Sequence, residues 1–256
     1  MEPVPFLIIV PALLAIMIYM LSFKEVKQTC DNYILVAYLY ALFYIMLMAY
    51  AIAMITTYIG HLDIPLETLL YGVIGIMFVD FMLLIMLLSI PKTQFTLKHV
   101  ISIIYVLISS LSLAVILITF APKAIAMALI LTIMLFVVLT IIAWKFQKYI
   151  SSRVSLVFLG VFILFVFLQL GLTIFFNNSI ITTVVIFIVL MLVCYLLLVK
   201  TKALIENEQE CTKDGVPDYV KEGIGLMLSF QSIFIQILQI LTRGKMGGGR
   251  RRSVRF

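Results

Sequence analysis

The sequence predicts an all-α, polytopic membrane protein: seven transmembrane helices with the N-terminus outside and the C-terminus cytoplasmic, followed by a C-terminal amphipathic helix and a basic tail. Three observations lead there. Of 256 residues, 64% are hydrophobic and only 12% charged, and the mean hydropathy is +1.24; a soluble domain carries about 45–50% apolar and about 25% charged residues. Short polar breaks divide the chain into seven apolar runs, each near the ~20 residues that a hydrocarbon core of about 30 Å requires. If those runs alternate in direction, every lysine and arginine except Lys123 falls on one face of the bilayer, and that face is the cytoplasmic one. The same composition excludes a disordered chain, a disulfide-stapled secreted module and most soluble enzymes.

The expected spans are Phe6–Phe23, Tyr33–Ile59, Leu66–Ile90, Val100–Ala121, Ala124–Trp144, Val154–Phe176 and Ile180–Val199. The first follows an acidic leader, Met1 to Pro5, with no small-residue cleavage site behind it, so it reads as a span rather than a signal peptide. Pro122 and Lys123 make a tight hairpin between the fourth and fifth, and Asn177, Asn178 and Ser179 a turn between the sixth and seventh. The cytoplasmic breaks hold Lys24 and Lys27, then Lys92 and Lys98, then Lys145, Lys148 and Arg153. Residues 200–218 read as an acidic cytoplasmic linker carrying Glu206, Glu208, Glu210, Asp214 and Asp218. Residues 219–243 read as an amphipathic helix, and 244–256 as a flexible basic tail. Cys30 and Cys211 fall on the cytoplasmic side and Cys194 inside a span, so neither a disulfide nor a metal ribbon is expected.

The amphipathic helix carries a seam of polar or small residues, among them Ser229, Ser232, Gln236 and Gln239, at steps of three and four on an otherwise greasy surface. Such a seam suits an interfacial or re-entrant helix, packing between copies, or the wall of a wet path. Length would also allow an eighth span, which the charge rule opposes because Arg243 and the arginines after it would then lie outside. Arg243, Lys245, Arg250, Arg251, Arg252 and Arg255 form a cationic end that attracts anionic lipid, nucleic acid or an acidic partner surface. Interleaved aromatics for base stacking are absent apart from Phe256, so nucleic-acid binding is not specified.

Asp80 is the ionisable residue deep within a span. A carboxylate there must face the bundle interior, be neutral or be hydrogen bonded. Depth arithmetic offers Tyr44, Ser109 and Ser110 as its partners, and Gly72 and Gly75 as places of close helix packing. It is either an ion- or proton-responsive site or a neutral group that fixes packing. Gln169, Thr173 and Asn177 share one face, Ser102, Ser109 and Ser112 another, and Tyr33, Tyr40 and Tyr44 a third. His61, Asp63 and Glu67 are too few and too local for a metal site, and His99 is expected to be solvated beside Lys98.

Enzyme signatures are missing. There is no His-Glu-x-x-His, no Gly-x-Ser-x-Gly and no nucleotide-binding loop. Two histidines do not make a haem site, and the seventh span lacks a buried lysine for a retinal Schiff base. No cofactor is expected. Two classes remain: a non-enzymatic channel or scaffold subunit of a transport complex in the cell membrane, with companion subunits or further copies of itself, and a seven-helix sensor signalling through a separate cytoplasmic partner.

In layout, seven spans with tiny loops, an amphipathic segment and Arg250-Arg251-Arg252, the chain resembles the polytopic membrane subunit of archaeal DNA-import systems, which is related to the VirB6-like channel proteins of conjugation. That resemblance implies a passive DNA channel working with small membrane subunits and a cytoplasmic ATPase. It carries no site residue with it.

Overall fold

The computed structural model describes residues 12–13, 15–19, 23–24, 27–28, 30, 32–59, 66–151, 158, 161–162, 164–166, 168–169, 179–214 and 217–246. Apart from turns and one minimal hairpin, these residues are helical. Strands β1 (Phe23–Lys24) and β2 (Lys27–Gln28) pair antiparallel, with Phe23 opposite Gln28. Six long helices follow: α1 (Tyr33–Ile59), α2 (Leu66–Ser89), α3 (Phe95–Ile118), α4 (Pro122–Lys145), α5 (Ser179–Asp214) and α6 (Tyr219–Met246). Residues 12–13 and 15–19 in the first expected span are helical too, as are 158, 161–162, 164–166 and 168–169 in the sixth.

Helix boundaries follow local chemistry. α3 begins at Phe95 rather than Val100 because, once Pro91 has broken the chain, Thr96, Lys98 and His99 wind on as helix. Pro122 occupies the first turn of α4, where its missing N–H would have had no intrahelical partner. The acidic stretch expected as a linker is instead helical as far as Asp214, since nothing before Gly215 and Pro217 interrupts it. α5 therefore has 36 residues, about 54 Å of helix, and outruns a hydrocarbon core of about 30 Å.

Among the described residues, five helical stretches are long and apolar enough to cross a membrane: Tyr33–Thr57, Phe95–Ile118, Pro122–Lys145, Ile180–Cys211 and Tyr219–Thr242. The helix expected as an amphipathic segment is one of them. α4 displays Met127, Ile130, Ile133, Met134, Val137, Val138, Ile141 and Trp144 on its surface. An apolar face of that extent would aggregate in water and belongs against lipid.

The chain forms two compact units, residues 1–119 with 204–227, and residues 120–203 with 228–256. In the first, α3 packs against both α1 and α2. Its core holds Val36, Ala37, Tyr40, Ala41 and Tyr44 of α1, Tyr105, Val106 and Ala114 of α3, and Tyr219, Ile224 and Met227 of α6. Gly223 lets α6 close on α1: a Cβ placed there would lie 2.6 Å from the Tyr40 Cβ and 3.2 Å from the Ala41 backbone nitrogen. Gly72 and Gly75, expected to serve this purpose, face open space. The second unit buries Ala128, Thr132 and Ala143 of α4, Ile186, Val189 and Leu197 of α5, and Ile233 and Leu238 of α6.

Candidate functional site

The first unit gathers polar side chains where α1, α3 and α6 all begin. Pro217 and Asp218 stop the chain ahead of an apolar run, and Asp218 is the N-cap of α6. Its Oδ1 accepts the Lys221 backbone N–H at 3.3 Å. Its Oδ2 accepts from Lys98 Nζ at 2.7 Å, with Lys98 only 3% exposed and Asp218 20% exposed. The same ammonium donates to the Ile90 carbonyl at 3.3 Å. Lys98 is thus a buried cation held by α6 and by the end of α2, with a single counter-charge in contact among the described residues.

One residue on, His99 is half-buried and bonded through both ring nitrogens, not solvated as expected. Nδ1 lies 2.9 Å from the Phe95 carbonyl, which can only accept, so Nδ1 carries the hydrogen. With the ring neutral, Nε2 is the acceptor and the Tyr40 hydroxyl the donor in their 2.7 Å contact. A turn further along α3, Ser102 donates to the His99 carbonyl at 2.8 Å, so the Tyr44 hydroxyl is the donor in its 3.0 Å contact with Ser102. Tyr219 stacks on Tyr40, with centroids 5.9 Å apart and planes 10° apart, and meets Tyr33 at 5.2 Å. The tyrosine face of α1 and the serine face of α3, separate rows in the sequence, meet each other.

Beside this cluster lies a cavity of about 220 Å³ lined by Tyr33, Lys92, Asn207, Glu210, Cys211, Asp218, Lys221 and Glu222. Asn207 donates to Glu222 at 2.8 Å, joining α5 to α6. Cys211 is disulfide-bonded to Cys30, with Cα atoms 5.9 Å apart. This overturns the expectation of no disulfide: the fold brings together two cysteines 181 positions apart, which spacing alone could not pair. Among the described residues, no group of three or more His, Cys, Asp or Glu is placed to hold a metal ion.

Asp80 lies in the middle of α2, partly buried, and its Oδ1 is buried with no hydrogen-bond partner among the described residues. Tyr105 of α3 is within its electrostatic reach. The side chains expected as partners bond elsewhere: Tyr44 to Ser102, and Ser110 to the Val106 carbonyl at 2.5 Å. Ser109 is buried, and its carbonyl accepts from Ser112.

In the second unit the seam of α6 faces protein. Gln169 Nε2 spends its two hydrogens on Gln239 Oε1 at 2.7 Å and Gln236 Oε1 at 3.3 Å. Ser229 is buried and Ser232 half-buried. Arg243 and Lys245 stand on the last turns of α6. Arg250, Arg251, Arg252, Arg255, His61, Asp63, Thr173 and Asn177 lie outside the described residues.

The Lys98–Asp218 pair is the feature that sequence reading missed. Asp218 between Pro217 and an apolar run carried an N-cap signal, but nothing local pointed that cap at Lys98. Compared with known families, residues 30–246 match the family model described as "Inhibitor of apoptosis-promoting Bax1". No curated protein matches, and no solved structure matches. The match covers most of the chain and overturns the likeness to DNA-import subunits. That likeness rested on span count and a basic tail, which unrelated membrane proteins share.

Proposed function

This chain belongs to the Inhibitor of apoptosis-promoting Bax1 family of membrane proteins, and from that premise we propose that it is a non-enzymatic channel of the cell membrane, passing small cations, protons included, down their gradient. One observation carries the reading: the Asp80 carboxyl group, in the middle of an apolar helix, has a buried oxygen without a hydrogen-bond partner among the described residues. A charged carboxylate is expensive inside a bilayer, and a cation or proton bound in transit offsets that cost. The row along α3 from Lys98 through Ser102 to Ser109 lends support, since it carries polar groups inward from the lysine-rich end.

In this reading the seven expected spans alternate, the N-terminus is outside, and the lysine-rich breaks face the cytoplasm. α6 enters from that cytoplasmic face alongside α1, as the Gly223–Tyr40 approach supports. Companion subunits or further copies of the chain belong to this proposal. An ATPase and a nucleic-acid cargo came with the DNA-import likeness and form no part of it. The chain carries no nucleotide-binding loop, so flux follows a gradient.

The test is reconstitution into liposomes loaded with a pH- or cation-sensitive dye. The wild type should collapse an imposed gradient faster than empty liposomes. Asp80→Asn should slow that collapse by about tenfold or more, which by rate arithmetic is about 1.4 kcal/mol or more, while Asp80→Glu stays near wild type. Equal rates for Asp80→Asn and wild type, or no flux above empty liposomes, would sink the reading. A wild type without flux whose helices move on ligand addition would turn attention to the sensor alternative.

A further inference from the structure

The disulfide between Cys30 and Cys211 lies at the lysine-rich end of the first unit, where α1 begins and α5 ends. Cys30 is partly exposed, and Cys211, only 4% exposed, lines the polar cavity with Lys92 and Lys221, both exposed, and Glu210, Asp218 and Glu222. A disulfide that serves only as a staple is normally shut away from thiols. Here one cysteine, Cys30, is partly exposed and the other, Cys211, lines a polar cavity, which gives a small thiol a route to the bond. We propose that Cys30–Cys211 is a thiol-exchange site, reduced and re-formed by a small thiol/disulfide couple of the glutathione type on the lysine-rich face.

The step balances. A small thiolate attacks the sulfur of Cys30, the protein S–S bond breaks, and Cys211 leaves as a thiolate into the cavity that Lys92 and Lys221 help to line, where it takes a proton from water. A second small thiol resolves the mixed disulfide at Cys30. One protein disulfide is reduced to two thiols, and two small thiols are oxidised to one small disulfide. Reduction releases the tether between the end of α5 and the chain entering α1, and leaves Asn207–Glu222 joining α5 to α6. The oxidised form therefore clamps the last turns of α5 over the Lys98–Asp218 cluster, and the reduced form frees them. This inference does not depend on whether the chain conducts cations.

The experiment uses the full chain, with Cys194→Ser removing the cysteine that has no disulfide partner. The protein, folded in detergent micelles, is equilibrated with graded ratios of reduced to oxidised glutathione and then tagged with a heavy maleimide. The expected result is no tag at the oxidising end, two tags appearing together at the reducing end, and faster amide hydrogen exchange over residues 204–214 in the reduced form. Cys30→Ser should show one tag and fast exchange at every ratio. No tags at any ratio in the folded protein, with two tags only when the reducing mixture is applied to the denatured chain, would mark an inert staple and overturn the proposal. Two tags at every ratio would show that the pair never closes, and tags without faster exchange would refute the clamp.

Discussion

Replacing Asp218 by Asn leaves Lys98 as a cation that is 3% exposed, with the Ile90 carbonyl for company and no counter-charge in contact. Asn is as good an N-cap as Asp, so the start of α6 keeps its capping group and the substitution isolates the charge. Removing one partner of a buried pair costs about 3–5 kcal/mol. At ~2–4 °C per kcal/mol for a protein of this size, the fall in Tm is on the order of 10 °C. The reverse substitution is milder. Lys98→Met leaves Asp218, 20% exposed and still bonded to the Lys221 amide, for a loss of about 1–3 kcal/mol. The pair Lys98→Met with Asp218→Asn should return close to Lys98→Met alone, because the stranded charge is gone. The assay is thermal unfolding of the four proteins in one detergent, followed by aggregation or by tryptophan fluorescence. If Lys98→Met proved the more damaging single change, or the double variant fared no better than Asp218→Asn, the assignment of Lys98 as the buried, dependent charge would be wrong.

Gly223→Ala drives a methyl into Tyr40 Cβ at 2.6 Å and into α1 backbone at 3.2 Å. Overpacking of this kind costs about 1–3 kcal/mol, and a Tm within a degree of wild type would show that α6 does not close on α1 there. Gln169→Leu strips Gln236 and Gln239 of the amide hydrogens they accept, for a loss of about 1–3 kcal/mol. Leucine at 169, 236 and 239 together should recover most of that loss, since no acceptor is then stranded. A triple variant weaker than the single one would count against the cluster.

That the chain lives in a membrane was legible from composition and run length, because hydrocarbon demands long apolar helices with their backbone groups satisfied internally. The helices of α1, α2, α4 and the first part of α5 follow the apolar runs closely. α3 and the far end of α5 run past them, since helix winding stops at proline and glycine and not where polarity begins. Family membership was not legible: span count and a basic tail are demands of the bilayer, common to unrelated proteins. Sequence also raised Asp80 by its cost in hydrocarbon, yet named partners for it from depth alone.

Tertiary structure decided what depth and spacing could not. Lys98 with Asp218, Cys30 with Cys211, Tyr40 with His99 and Gln169 with Gln239 are each separated by 59 to 181 positions. Local periodicity tells which face of a helix is polar; it does not tell which other helix that face meets. Only the packing of α1, α3 and α6 turns scattered polar residues into one bonded cluster, while the Asp80 oxygen on α2 finds no partner among the described residues.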